Sequence, residues 1–276
     1  KSAGNSNYNT ISSDPTVHTF AGSGEEGSAN GTGTAASFYS PTGLAMDGSG
    51  NLFVTDLNNN LIRKITPSGV VTTFAGSGSY GSADGTGTAA SFYKPSDLAF
   101  DSNGNLFVVD YGNHLIRKIT PAGVVTTFAG SGSEGSANGT GTEASFYYPW
   151  GIAIDSNDNL FIGEYSNNLI RKITPSGVVT TFAGSGTSGS ADGIGTAASL
   201  SGPVGLSFDS DGNLFVVEFV GEKIRRITPS GSVTIFAGSG SKGSTDGTGT
   251  DASFDYPLGI TIDNNDNMYI GDAYNH

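Results

Sequence analysis

The chain of 276 residues contains no cysteine, which excludes disulfides and thiolate metal sites. Basic residues are scarce: 12 Lys and Arg stand against 25 Asp and Glu, for a net charge of -13 at pH 7. Binding to nucleic acid needs a concentrated basic face that displaces counterions from phosphate, so no nucleic-acid partner is expected. No apolar run approaches the roughly 20 residues of a membrane-spanning helix, and no membrane insertion is expected. Charged residues of both signs make up only 13% of the chain, whereas 43 residues are glycine. Together with abundant Ser, Thr, Asn and Val, this favours short strands joined by tight turns, hence an all-β protein.

A strict repeat organises what is present. The word FAGSG begins at Phe20, Phe74, Phe128, Phe182 and Phe236, so the interval is 54 residues each time. Such a unit is one supersecondary block that buries its faces against its neighbours. Between 97 and 128, four β segments follow in order: DLAFD, NLFVVD, LIRKIT and VVTTF. DSNGN supplies hairpin chemistry between the first two, and TPAG does so between the last two. In NLFVVD, Leu106 and Val108 point one way and Phe107 and Val109 the other, so both faces are apolar, as in a strand sandwiched between neighbouring sheets. Four antiparallel strands per unit at a fixed interval predict a β-propeller.

Five copies of the first two strands are present but only four good copies of the last two. Residues 7–20, containing NYNTIS and TVHTF, occupy the missing repeat positions, so they are expected to complete the blade begun at 259–276. The expected fold is one domain over 1–276, with five four-stranded blades closed by pairing of N- and C-terminal strands. Closure of this kind removes exposed sheet edges. NYNTIS is a poor copy of LIRKIT, which leaves two alternatives open: a six-bladed parent, or a blade completed by a neighbouring chain in a head-to-tail assembly.

The stretch PSDLAFDSNGNLFVVDYGNHLIRKITPAGVVTTFAG, its four partners, and the triplet Asn113-His114-Leu115 resemble the NHL repeat of bacterial-type propellers over nearly the whole chain. The resemblance implies the propeller fold. It leaves function open among protein-binding modules, RNA binders, sensor ectodomains and, in a minority, lyases. Family members commonly have six blades, and RNA-binding members use a basic top face that is missing here.

The long connection, for example GSADGTGTAASFYKP at 81–95, is written five times. Thr88 is expected to cap a helical turn at AAS, Phe92 to plug the seam between blades, and Gly85 and Gly87 to take positive φ. The basic pair of LIRKI is expected on a wet outer strand. A residue present in every blade is first a fold requirement, so a local function is sought where the units differ. Units three and four differ most. Trp150 is the single tryptophan, and Asp56 and Asp110 are replaced by Glu164 and Glu218 at the same repeat position. Tyr147, Tyr148, Trp150, Glu164, Tyr165, Glu218, Phe219 and Glu222 are therefore the candidate ligand-binding residues, an aromatic and acidic patch suited to a sugar ring or a protein anchor residue.

Other chemistry is disfavoured. The turns DSNDN at 155–159 and DNNDN at 263–267 imitate half a calcium loop without its later ligands, and are read as hairpin turns. Of the three histidines, His114 and His276 share one repeat position three blades apart and should not converge on zinc. No metal site, cofactor or catalytic residue is expected, and a propeller lyase is disfavoured. Asn30 and Asn138 are formal glycosylation acceptors. The composition, and a first residue that is not methionine, suggest a secreted mature form or an excised fragment, hence an extracellular or cell-surface location. The expected function is a non-catalytic binding or scaffold module that recognises a protein or glycan on its long-loop face. A structural subunit self-associating through terminal strands is the alternative.

Overall fold

The computed structural model describes residues 17–275. Its regular structure is β-strand and single turns of 3-10 helix, and no helix among the described residues is long and apolar enough to cross a membrane. Five blades follow the 54-residue period. In the second, the inner strand Pro95–Phe100 pairs with Leu106–Asp110, which pairs with Leu115–Ile119, which pairs with the outer strand Val124–Ala129. Every pairing is antiparallel, with Leu98 opposite Val108 and Val108 opposite Arg117.

The turns form as their residues dictate. Asp101 accepts the backbone N–H groups of Asn103 and Asn105 at 3.0 and 2.7 Å, and Gly104 takes φ +77°. Between the third and outer strands, Gly123 takes φ +79° and donates to the Thr120 carbonyl at 2.8 Å. Left-handed backbone is what closes both hairpins, and glycine adopts it without a Cβ clash.

The blades gain a fifth strand that the sequence reading lacked. Gly85–Thr86, in the long connection, pairs along the outer strand at Val124 and Val125. Blades one, three and four repeat this arrangement. The connection thus crosses the top of its own blade, covers the outer edge and then turns inward. Its 3-10 turn is Gly87–Ala89, with Thr86 rather than Thr88 at the N-cap and no side-chain cap bond. Gly87 takes φ +57° as expected, whereas Gly85 is needed for space, since a Cβ there would lie 2.9 Å from the Ala89 backbone.

The core consists of seams between blades. Phe107 and Val109 face the third blade's Ile152 and Ile162, while Leu106 and Val108 face the first blade's Phe53. Each successive pair of inner strands packs side by side around the axis. One seam differs. Phe215, on the second strand of blade four, is 5% exposed, whereas Tyr269 at the same position of blade five is 57% exposed. On the facing side, Leu44 of blade one is 59% exposed and its counterpart Leu98 is 3% exposed. Blade five has two strands among the described residues, Pro257–Ile262 and Met268–Asp272. Of the segment 7–20 expected to complete it, residues 7–16 lie outside the described residues, and 17–20 are exposed and irregular.

Candidate functional site: an aromatic bowl at the top of the axis

The third-strand arginine is the centre of each of blades one to four, contrary to the expectation of a wet outer face. Arg63, Arg117, Arg171 and Arg225 are fully buried. Arg117 donates through Nη1 to Asp110 and the Ser91 carbonyl, both at 3.0 Å, and through Nη2 to the Ala83 carbonyl and Asp84 at 3.1 and 2.8 Å. Its guanidinium lies 5.4 Å from the centre of the Phe92 ring. The long connection is therefore wrapped around a guanidinium, whose fork of donors holds several carbonyls at once. Asp110 in turn accepts the Tyr93 N–H at 2.7 Å and the Asn113 side chain at 2.8 Å.

That network removes two residues from the expected patch. Glu164 and Glu218 are fully buried partners of Arg171 and Arg225, at 2.6 and 3.2 Å. They occupy the Asp110 position with one more methylene and still accept the equivalent backbone N–H groups, of Tyr147 and Ser201, at 3.0 Å each. Burial pushes the Glu218 carboxyl up to about 7, and Arg225 pulls against it. Burial likewise raises Glu164 against Arg171.

Glu222 is buried as well and accepts the Tyr256 N–H at 2.7 Å. This is the blade-four form of a clasp between blades. Asn60 accepts from Lys94, His114 from Tyr148 at 3.1 Å, and Asn168 from Gly202. Asn60, His114 and Glu222 have φ of 55°, 57° and 52°, and the residues they hold, Lys94, Tyr148 and Tyr256, are also left-handed. Non-glycine residues pay for that conformation only where the surroundings fix it. The His of the Asn-His-Leu triplet is thus a structural clasp, and burial lowers its pKa.

The aromatic members of the patch do converge. Trp150, Tyr165 and Phe219, with Tyr111, Val204 and Leu258, line a cavity of about 210 Å³ at the top of the axis. Tyr111 contacts Trp150 edge-on at 5.2 Å and stacks on Tyr148 at 4.8 Å. Tyr148 continues to Tyr147 at 5.0 Å. On the other side Tyr165 meets Phe219 at 6.2 Å, Phe219 stacks on Tyr256 at 4.7 Å, and Tyr256 meets Tyr274 at 4.9 Å. Edge-on and offset pairs at these spacings suit the ring quadrupoles. Burial, then the neighbouring Tyr148, raises the Tyr111 phenol pKa.

Tyr111 and Tyr256 were absent from the expected set. Tyr111 shares its repeat position with Tyr165 and Phe219, where units one and five have Leu57 and Ala273. Reading that column of the repeat would have found it.

Asn30 and Asn138 are exposed, with their Oδ1 atoms accepting from Arg63 and Arg171 at 3.0 and 2.8 Å. The turns that imitate calcium loops join blades: Asp158 accepts from the N–H and hydroxyl of Ser102 at 2.8 and 2.6 Å, and Asp266 does the same from Ser210. Among the described residues, no three His, Asp or Glu side chains are grouped to hold a metal ion.

Similarity to known proteins agrees with this architecture. The chain is 29% identical over 272 residues to "Protein SUPPRESSOR OF QUENCHING 1, chloroplastic" of Arabidopsis thaliana, covering 92% of this chain and 26% of that protein. It is 28% identical over 289 residues to "NHL repeat-containing protein 2" of Homo sapiens, covering 91% of this chain and 40% of that one. The chain therefore spans between about a quarter and two fifths of these relatives. A streptogramin B lyase structure aligns with a TM-score of 0.55 at 20% identity, over 83% of this chain and 61% of that one, which shows a shared fold. The chloroplast relative overturns the expected extracellular location: Ser, Thr and Gly abundance follows from the turns and loops of the repeat and carries no address. The NHL repeat model matches residues 38–65, 92–119 and 146–173, the loop end, inner hairpin and arginine strand of three blades. That match falls on the segments that build the guanidinium network, so NHL repeats form three blades of this β-propeller.

Proposed function

We propose that this propeller is a non-catalytic binding module that takes an apolar anchor of a protein partner into the bowl at the top of its axis. Its main support is the bowl's lining: Tyr111, Trp150, Tyr165 and Phe219 are half-buried around one cavity, where a partner's side chain displaces water from several aromatic faces at once. The flanking carboxylates are committed to arginines, so a sugar's hydroxyls would find few acceptors there, and an apolar anchor fits better than a glycan. The same commitment leaves no acid or base facing the bowl from Glu164 or Glu218, which supports a binding rather than a catalytic role. The test is a protein and glycan array probed with the wild type and Trp150→Ala. Loss of the captured partner at a stability cost of only about 1–2 kcal/mol is expected, and equal capture per folded molecule would refute the bowl.

A second reading has its own support. Leu44, Met46 and Tyr269 are exposed where every other seam is packed, and such a face suits self-association of propellers. Light scattering across a dilution series checks it: concentration-dependent mass is expected of an assembly, and a constant 28.0 kDa particle would count against it.

A further inference from the structure

At the third position of the inner strand, four blades carry glycine: Gly43, Gly151, Gly205 and Gly259. The neighbouring blade forces this at Gly151 and Gly205, where a Cβ would lie 1.8 Å from the Val204 carbonyl and 2.6 Å from that of Leu258. Blade two alone carries an acid there, Asp97. Its Oδ2 accepts the Ile152 N–H at 3.0 Å and its Oδ1 the Leu98 N–H at 2.9 Å.

The side chain faces an axial channel of about 330 Å³ whose other lining residues are uncharged. Buried Asp110, Glu164 and Glu218 are each paired with an arginine, but Asp97 has no cationic partner among the described residues. Burial pushes its carboxyl up to about 6, opposed only by the two backbone donors. Asp97 is half-buried and keeps some exposure toward the channel, and a carboxylate partly withdrawn from water with no counter-ion beside it favours a cation able to reach it.

The channel adjoins the bowl, because Trp150 and Leu258 line both cavities. The Thr42 hydroxyl, whose residue also lines the channel, bonds the Ser96 carbonyl at 2.7 Å and the buried Thr55 hydroxyl at 3.0 Å. We propose that bowl and channel form one site for an alkylammonium group, with the lysyl side chain of a protein partner as its source: the apolar stem lies between Trp150 and Leu258 and the ammonium meets Asp97. An unbranched stem suits the apolar wall, three N–H donors suit the cluster of oxygens, and aromatic faces at the mouth attract the cation. The acidic protein as a whole draws cations inward. The assignment rests on the bowl being the binding site.

The test titrates the full chain with n-butylammonium, 1-butanol and Nα-acetyl-lysine methylamide, by calorimetry at pH 8. Binding of the ammonium about tenfold tighter than the alcohol is expected, as a charge-assisted hydrogen bond implies. Asp97→Asn, which keeps an acceptor for the Ile152 N–H, should abolish that preference while melting like the wild type, and Asp97→Gly, which restores the residue of the other blades, should abolish it as well. Comparable binding of the lysine derivative supports a protein lysine, and its exclusion beside tight n-butylammonium overturns that source in favour of a free amine. Equal binding of amine and alcohol, still lost in Trp150→Ala, would overturn the ammonium site and leave the bowl standing. No binding by any probe would overturn both.

Discussion

The rim of this propeller and its axis are built from the same repeat, yet they use it differently. At the rim blades one to four have the same parts: a buried arginine, an acid, and a loop wound around them. At the top of the axis corresponding positions hold different residues, Thr42, Ser96, Trp150, Val204 and Leu258. Uniform positions satisfy buried charge, which tolerates little change, while variable ones line a cavity, where side chains answer to what enters. Repetition thus marks structure, and departure from it marks the candidate site.

The comparison breaks most severely at the rim. Arg117→Ala would leave Asp110 buried without its charge partner and release the loop carbonyls, so a loss of about 3–5 kcal/mol is expected in denaturant titration. Arg117→Lys should recover only part of it, because an ammonium cannot replace the planar fork. At the axis the balance reverses. Trp150→Ala is expected to weaken ligand binding by more than tenfold at a stability cost of about 1–2 kcal/mol, read from paired calorimetry and thermal melts. A stability loss like that of the arginine variant would make Trp150 a core residue and erase the contrast.

How much of this was legible follows the same division. The period, the hairpin turns and the seam packing of Leu106, Phe107, Val108 and Val109 could be read because alternation and turn chemistry are local signals. Arg117 could not, since LIRKI has the same pattern whether its arginine meets water or a folded loop 26 to 34 residues earlier in the chain. Glu164 and Glu218 were misplaced for the same reason: a change from Asp suggested new function, whereas the longer side chain still reaches its arginine. Trp150, Tyr165 and Phe219 were legible because a single blade's difference stands out against a regular repeat. Asp97 stands out in the same way once the column of glycines is aligned.

Smaller perturbations sharpen the picture. His114 accepts the Tyr148 N–H through Nδ1 and must be unprotonated there to do so. Burial lowers its pKa from 6.5, so its contribution is complete above that value and is lost as the pH falls through the lowered folded value. His114→Asn, which supplies the clasp used by Asn60 and Asn168, should remove that part of the acid sensitivity, measured as the difference between the two proteins' melting temperatures from pH 8 to 5. The smallest effect is expected of Asp158→Gly, which opens the exposed link to Ser102 and restores the glycine that blades one, two and four carry at that position. Only a slight lowering of the melting temperature should follow.

The single tryptophan offers the most direct test of the claim that binding occurs at the axis. Trp150 emission should change saturably as n-butylammonium or a captured partner is added, and the change should vanish when Tyr165 and Phe219 are both replaced by alanine. Binding that leaves Trp150 emission unaltered, or a signal that survives the double replacement, would place the ligand elsewhere and contradict the account.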